Sequence, residues 1–445
     1  MRLKNTVFIG SLLLASSAGL AAESNNPAFH GAAWMQFGRV ENSFATPGSA
    51  NNYDENWLGN YGGLVGSSMK IDENWEGGLG FGSIMVHLAR GSFAEADIWY
   101  PFWVGFLSEA RLTYTQPDFA ENGGLQFNLG TFGYNYNRDS KNLGIYLMKG
   151  YVYPGTLVSG YADLFGVPAA RTGGMARYKI GGFTNDLLLN LETDEKPLYD
   201  LSVADVVDWR LHPSFEIGAG VNFYRLLAAD KDATAQGKGC GESTMGPYAG
   251  SGPAIGGQDN PCFIVRKDTA GVPIDTITGS LAGTKVMARF RLDPKAWFGS
   301  PGSFGPDELV LYGEAALLGL KDFPILYDDK LRRIPVMVGF NFPTWGMLNL
   351  SAEVEYYASK NSSDNLPPQN GSWLPALATA GPSTGRDDWK WSANASKVVL
   401  GNIFLGLQVA NDHLRLGGTH NTATGQEAMR TPQDWYWAFK TAYFF

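Results

Sequence analysis

The chain has 445 residues and a net charge of −9, with 34 Lys and Arg set against 43 Asp and Glu. No basic cluster stands out, which argues against nucleic acid as a partner. After the N-terminal segment no run approaches the roughly 18 to 20 apolar residues of a membrane helix; a helical membrane protein is excluded, whereas a barrel of alternating strands is compatible with the slightly negative mean hydropathy, 13% aromatics and 56 glycines.

Taken in chain order, residues 1–22 (MRLKNTVFIGSLLLASSAGLAA) come first. Arg2 and Lys4, an apolar run from Val7 to Leu14 and a tail of small residues read as a secretory signal peptide, with cleavage after Ala21 or Ala22. Residues 23–445 are then one domain. Strands are predicted near 29–41, 59–70, 77–90, 103–115, 124–136, 171–181, 185–193, 199–210, 214–227, 277–292, 306–319, 333–342, 346–358, 388–398, 402–414 and 433–445. The count is about sixteen, with fourteen or eighteen as alternatives. Many alternate with period two: Leu348, Leu350, Ala352, Val354 and Tyr356 oppose Asn349, Ser351, Glu353, Glu355 and Tyr357.

A soluble sandwich would also alternate, but its strands are usually shorter. Export, strand length and aromatic strand ends favour an all-β fold: a transmembrane, antiparallel, up-and-down β-barrel with long outer loops and short periplasmic turns. Connection lengths test this. Tight turns (IDENWEGG, TQPDFAENGG, GGFTN, LHPSF, FPTWG, LGN) fall on one side, and long loops (42–58, 137–170, 228–276, 320–332, 359–387, 415–432) on the other. The long turn 293–305 and the short loop near 195–198 weaken the alternation. TLVSG, 156–160, looks like a strand but spoils the parity, so it is placed inside loop 137–170. Both termini then lie on the periplasmic side of a bacterial outer membrane. Cys240 and Cys262 share the Gly-rich loop 228–276, a lid or a plain surface loop, and an exported chain would form a local disulfide there, worth about 3 kcal/mol at most in the chain-entropy picture.

If the apolar faces meet lipid, the opposite faces line the lumen. Candidate pore-lining residues are Arg111, Arg177, Lys179, Lys285, Arg289, Arg291, Lys390 and Lys440, together with Glu353 and Glu355. Glu109, Glu192 and Glu314 join the acidic set. A ring of one sign would select the opposite ion; mixed charges that pair with one another are the competing expectation.

The last strand, WYWAFKTAYFF, carries a resemblance. Its terminal Phe445, preceded at alternating positions by Tyr443, Phe439 and Trp437 and interrupted at Thr441, resembles the C-terminal assembly signal of large bacterial outer-membrane barrels, porins above all. That resemblance implies insertion by the barrel assembly machinery, contact with outer-membrane lipid and lipopolysaccharide, and no cofactor. The stretches LQFNLGTFGYNYNRDSKNLGIYL and YPGTLVSG are similar to substrate-selective porins, including the phosphate-selective type. Porins commonly fold their third outer loop into the lumen as a constriction; loop 137–170 is third by the present count. A homotrimer, common in porins, is left open.

Other motifs are discounted. Ser67–Lys70 matches S-x-x-K and Ser363–Asn365 matches S-D-N, but K-T-G is missing. The five histidines are scattered, with His413 and His420 in one loop region, and Asp328–Asp329 reads as a solvated loop. The expected function is a porin or solute channel passing small hydrophilic solutes or ions through a constricted lumen. The alternative is a structural or surface-adhesion barrel acting through its loops; a barrel enzyme has no catalytic set behind it.

Overall fold

In the computed structural model the described residues are 27–43, 54–55, 57–89, 102–149, 157–160, 171–193, 198–229, 263–267, 273–278, 282–297, 304–320, 330–357, 365–369, 372–375, 389–416, 426–429 and 431–445. The segment 1–22 expected to be a signal peptide and the two cysteines lie outside them, as do His420 and Asp328–Asp329.

Sixteen strands close one antiparallel barrel in which each strand pairs with its sequence neighbours. They are β1 (Ala28–Asn42), β2 (Trp57–Lys70), β3 (Trp75–Ala89), β4 (Phe102–Thr115), β5 (Gly124–Phe132), β6 (Arg171–Ile180), β7 (Phe183–Leu191) and β8 (Leu201–His212), followed by β9 (Phe215–Leu227), β10 (Gly283–Leu292), β11 (Val310–Leu317), β12 (Val336–Phe342), β13 (Asn349–Tyr356), β14 (Trp389–Val399), β15 (Ile403–Asn411) and β16 (Trp435–Phe444). Closure leaves the barrel itself without a free edge, so its strand backbones are paired all the way round. At the seam, Ala32 faces Phe444 and Val40 faces Tyr436 across β1 and β16. Phe445 continues the ladder: its amide donates to the Gly31 carbonyl (3.1 Å) and its carbonyl accepts from the Gly31 amide (2.9 Å).

The alternation sorts side chains as expected for a membrane-spanning barrel. Outward residues are apolar and exposed, among them Met35, Phe37, Leu79, Phe81, Leu129, Leu189 and Val354. Two aromatic girdles flank this band. Near the long-loop rim, Trp437 meets Phe37 and Trp57 (ring centroids 5.7 and 6.1 Å) and Tyr356 meets Trp389 (4.9 Å). Near the short-turn rim, Trp75 meets Tyr114 (5.2 Å) and Tyr443 meets Phe445 (6.0 Å).

Turn chemistry follows the sequence. Between β14 and β15, Leu400 and Gly401 both take positive φ (53° and 82°), the backbone of a tight hairpin whose twist matches its strands. In the connection from β10 to β11 the Glu308 carboxylate acts as a clamp. It accepts from the Thr344 hydroxyl (2.6 Å) and from the Gly346 and Gly305 amides (2.6 and 3.0 Å). Burial alone would raise the Glu308 pKa, but these hydrogen bonds hold it below the ordinary carboxylate value.

Several boundaries differ from expectation. The strand expected over 124–136 stops at Phe132, because the chain turns inward and the Tyr134 and Tyr136 hydroxyls find carboxylates inside the barrel. The strand expected over 277–292 divides: Pro273–Thr278 pairs with Phe263–Lys267 in a separate hairpin, and the barrel strand begins at Gly283. Period-two alternation cannot tell a loop hairpin from a membrane strand. Further hairpins pair Asn365–Gln369 with Ser372–Pro375 and Arg415–Leu416 with Gln426–Glu427. Leu157–Gly160 is not a barrel strand, as its assignment to the loop anticipated.

Candidate functional site

The connection after β5 enters the barrel and lies along its inner wall. Its described parts, 133–149 and 157–160, form a strap whose apolar side chains make a core inside the lumen. Tyr136, Leu143, Ile145, Tyr146, Leu147 and Leu157 pack there with Met175 of β6, Leu188 of β7, Ala204 and Val206 of β8, Met287 of β10, Tyr312 of β11 and Met337 of β12. Gly144 takes φ 82°, a conformation that favours glycine at the bend before the helical turn Tyr146–Lys149.

Wall carboxylates tie this strap down. Glu353 on β13 accepts from three successive strap amides, those of Lys141 (2.5 Å), Asn142 (2.9 Å) and Leu143 (2.8 Å), and from the Tyr312 hydroxyl (2.9 Å). Glu314 on β11 accepts from the Ile145 and Tyr146 amides (3.1 and 2.8 Å), the Tyr136 hydroxyl (2.6 Å) and the Asn137 amide group (2.8 Å). Glu355 accepts from the Tyr146 hydroxyl (2.6 Å) and lies 2.7 Å from His413 Nε2. Asp412, just past β15, accepts from Asn142 Nδ2 (2.6 Å) and the Tyr436 hydroxyl (2.8 Å). Carboxylates accepting several N–H and O–H bonds in a water-poor setting are strong, directional anchors.

The basic candidates are distributed along the same wall, most of them with partners. Arg111 reaches Glu109 (2.5 Å), Thr113 (2.6 Å) and Glu76 (2.8 Å). Arg177 forks onto Asp186 (2.6 and 2.7 Å), which also accepts from the Tyr134 hydroxyl. Arg289 pairs with Asp208 and with Glu216 (2.7 Å). Arg291 holds the strap's Asp139 (2.9 Å) and Asp293 (3.4 Å). Lys285 is wholly buried, its ammonium 4.6 Å from the Tyr224 ring centroid. Lys390 is buried and donates to the Met429 carbonyl. Lys179 is half-buried near the short-turn rim. Lys440 is half-buried and donates to Gln408 Oε1 (2.8 Å). All the candidates thus face inward, but not as one ring. Glu353 and Glu355 are anchors covered by the strap, and the arginines sit within acidic neighbourhoods.

Sequence reasoning missed three things. His413 belongs to the lumen beside Glu355 rather than to a loop surface, and among the described residues no cluster of His, Cys, Asp and Glu could hold a metal. Arg225, at φ 52° beside a register shift, pairs with Asp200 (3.0 Å) and Glu192 (3.6 Å). The inner wall at the seam is also apolar: Ala32, Trp34, Phe404, Ala442 and Phe444 cluster there with Leu64, Ile84, Phe106 and Val398. The available signal was that WYWAFKTAYFF has aromatics on both faces, with Tyr436 and Phe444 at even positions.

By strand number, closure and pairing this is an up-and-down antiparallel β-barrel. No family model and no curated protein matches the chain. Among solved structures, a double mutant of the Rh. blastica porin is similar at 10% identity, covering 94% of this chain and 100% of that one, with a TM-score of 0.43. A triple mutant of the Rhodopseudomonas blastica porin is similar at 9% identity, with the same coverage and a TM-score of 0.42. The likeness is one of fold alone.

Proposed function

We propose that the protein is an outer-membrane solute channel that passes small hydrophilic solutes or ions by diffusion, with the strap as its constriction. The observation that supports this best is the strap itself, tied to the inner wall through Glu314, Glu353 and Glu355. A barrel of about sixteen strands leaves an aqueous interior unless something fills it, and a segment anchored to one side of the wall narrows that interior. The pairing of Arg111, Arg177, Arg289 and Arg291 with carboxylates keeps the wall near charge balance, so selection by net charge is weak.

On this reading residues 1–22 are a signal peptide, the long loops face outward and both termini face the periplasm. Trp437, Phe439, Tyr443 and Phe445 serve as the signal read by the assembly machinery. The apolar belt meets lipid and, on the outer side, lipopolysaccharide. Cys240 and Cys262 close a disulfide within their loop. Assembly as a homotrimer is checked on native gels before and after heating.

The test is reconstitution of the purified barrel into liposomes. Small sugars should enter at rates that fall steeply with size. Vesicles no more permeable than protein-free controls would overturn the channel and favour an adhesion barrel that acts through its loops.

A further inference from the structure

The inner wall around the seam is layered. Above a polar group at the short-turn rim (His30, Glu109 and Arg111) lies the apolar layer, with Phe404, Phe444 and Trp34 on β15, β16 and β1, and Leu64, Ile84 and Phe106 on β2, β3 and β4. One inward step further along β1 is Gln36, which faces Asn60 of β2 and Lys440 of β16 in the ladder. Lys440 in turn donates to Gln408. Beyond this polar belt lies a second apolar cluster including Val40, Leu58 and Tyr436.

Two observations say that this layering is built. The wall is hollowed under the rings: a Cβ at Gly62 would run into the Trp34 indole, and one at Gly82 into the Phe106 ring. These glycines let rings lie flat on neighbouring strands, so an apolar slab replaces a set of protruding side chains. The belt also holds an unsatisfied group. Gln36 is only 1% exposed, yet neither its Nε2 nor its Oε1 has a hydrogen-bond partner, and the Asn60 Oδ1 beside it has none either. Buried amides without partners are uncommon and call for an explanation.

Resting on the channel reading above, we infer that this part of the wall is a subsite for small carboxylates with an apolar body. The apolar part lies on the Trp34–Phe106 slab. The carboxylate accepts from Gln36 Nε2 within the field of Lys440, the cation of the belt. A mostly apolar lining with a few convergent polar groups is the usual make-up of a small-molecule site. A lumen relying on charge alone would have no use for the slab.

The experiment uses the full-length barrel in detergent, titrated calorimetrically with phenylacetate, acetate (the head without the body) and benzyl alcohol (the body without the charge). Phenylacetate should bind at least tenfold more tightly than either control. Gln36→Leu should weaken phenylacetate at least tenfold and leave benzyl alcohol unchanged, whereas Phe106→Ala should weaken both. Heat-modifiable migration on gels verifies that each variant is a closed barrel; for a variant that fails this, competition between phenylacetate and acetate on the wild type decides. Equal affinity for phenylacetate and acetate, or an unaltered affinity in a closed Gln36→Leu barrel, would overturn the subsite. Binding is read without any conductance, so a barrel that binds but does not conduct would sink the channel and leave the subsite standing.

Discussion

Two sectors of the same inner wall are built on opposite plans. From β6 to β13 the wall meets the strap, and its carboxylates each hold several donors: Glu353 has three consecutive amides and a tyrosine hydroxyl, Glu314 two amides, an amide side chain and a hydroxyl. From β14 through the seam to β4 the wall also carries aromatic and aliphatic layers, set among polar groups: the Gln36–Lys440 belt, and Arg111 with Glu109 and Glu76 toward the short-turn rim. Both sectors obey the same inward–outward alternation. The difference teaches that an inward position in a wide barrel is not a polar position by default: carboxylates fasten the folded segment on one side, while on the other apolar side chains cover one another between polar layers.

Three perturbations would break or sharpen that contrast. The largest effect is expected from Glu353→Ala. It leaves the Lys141, Asn142 and Leu143 amides without their acceptor, a loss of about 1–3 kcal/mol for each buried group that finds no substitute. The strap should loosen, and single-channel records should show a larger, noisier conductance; unchanged records would mean that the strap does not bound the path. A smaller effect is expected from Arg289→Ala. Removing this guanidinium leaves Asp208 and Glu216 without their shared cation, so reversal potentials should move modestly toward cation preference. No movement would take Arg289 out of the path.

The smallest effect is expected at the short-turn rim. Glu308 is held below the ordinary carboxylate pKa by its hydrogen bonds. Its contribution is therefore fully present above the unfolded-state value, about 4.3, and fades as pH falls through the lower folded-state value. Glu308→Gln should reduce thermal stability near neutrality by about 1 kcal/mol, and the gap from wild type should close in acid. A gap independent of pH would show that the charge is not what matters.

The barrel was legible in the sequence because its signal is local. Period-two alternation, turn residues such as Leu400–Gly401, and the alternation of long and short connections set strand number and direction without any knowledge of contacts. The orientation of WYWAFKTAYFF was legible in the same way: Trp435, Trp437 and Tyr443 face outward while Tyr436, Ala438 and Phe444 face inward. What the lumen holds was less legible. Tyr134 and Tyr136 continue the alternation of β5, and only carboxylates 52 and 178 residues further along, Asp186 and Glu314, draw them out of the sheet. Glu353 and Glu355 read as open-pore charges because sequence places them on the inner face without showing that a loop will cover them. Long-range pairing across a barrel leaves no trace in local periodicity.

The most direct measurement is the single-channel current of the purified wild-type barrel in planar bilayers. An open, strap-narrowed lumen predicts stable unitary steps of uniform size, with low ion selectivity because the wall arginines are paired. Membranes that take up the protein yet show no unitary current would contradict the account.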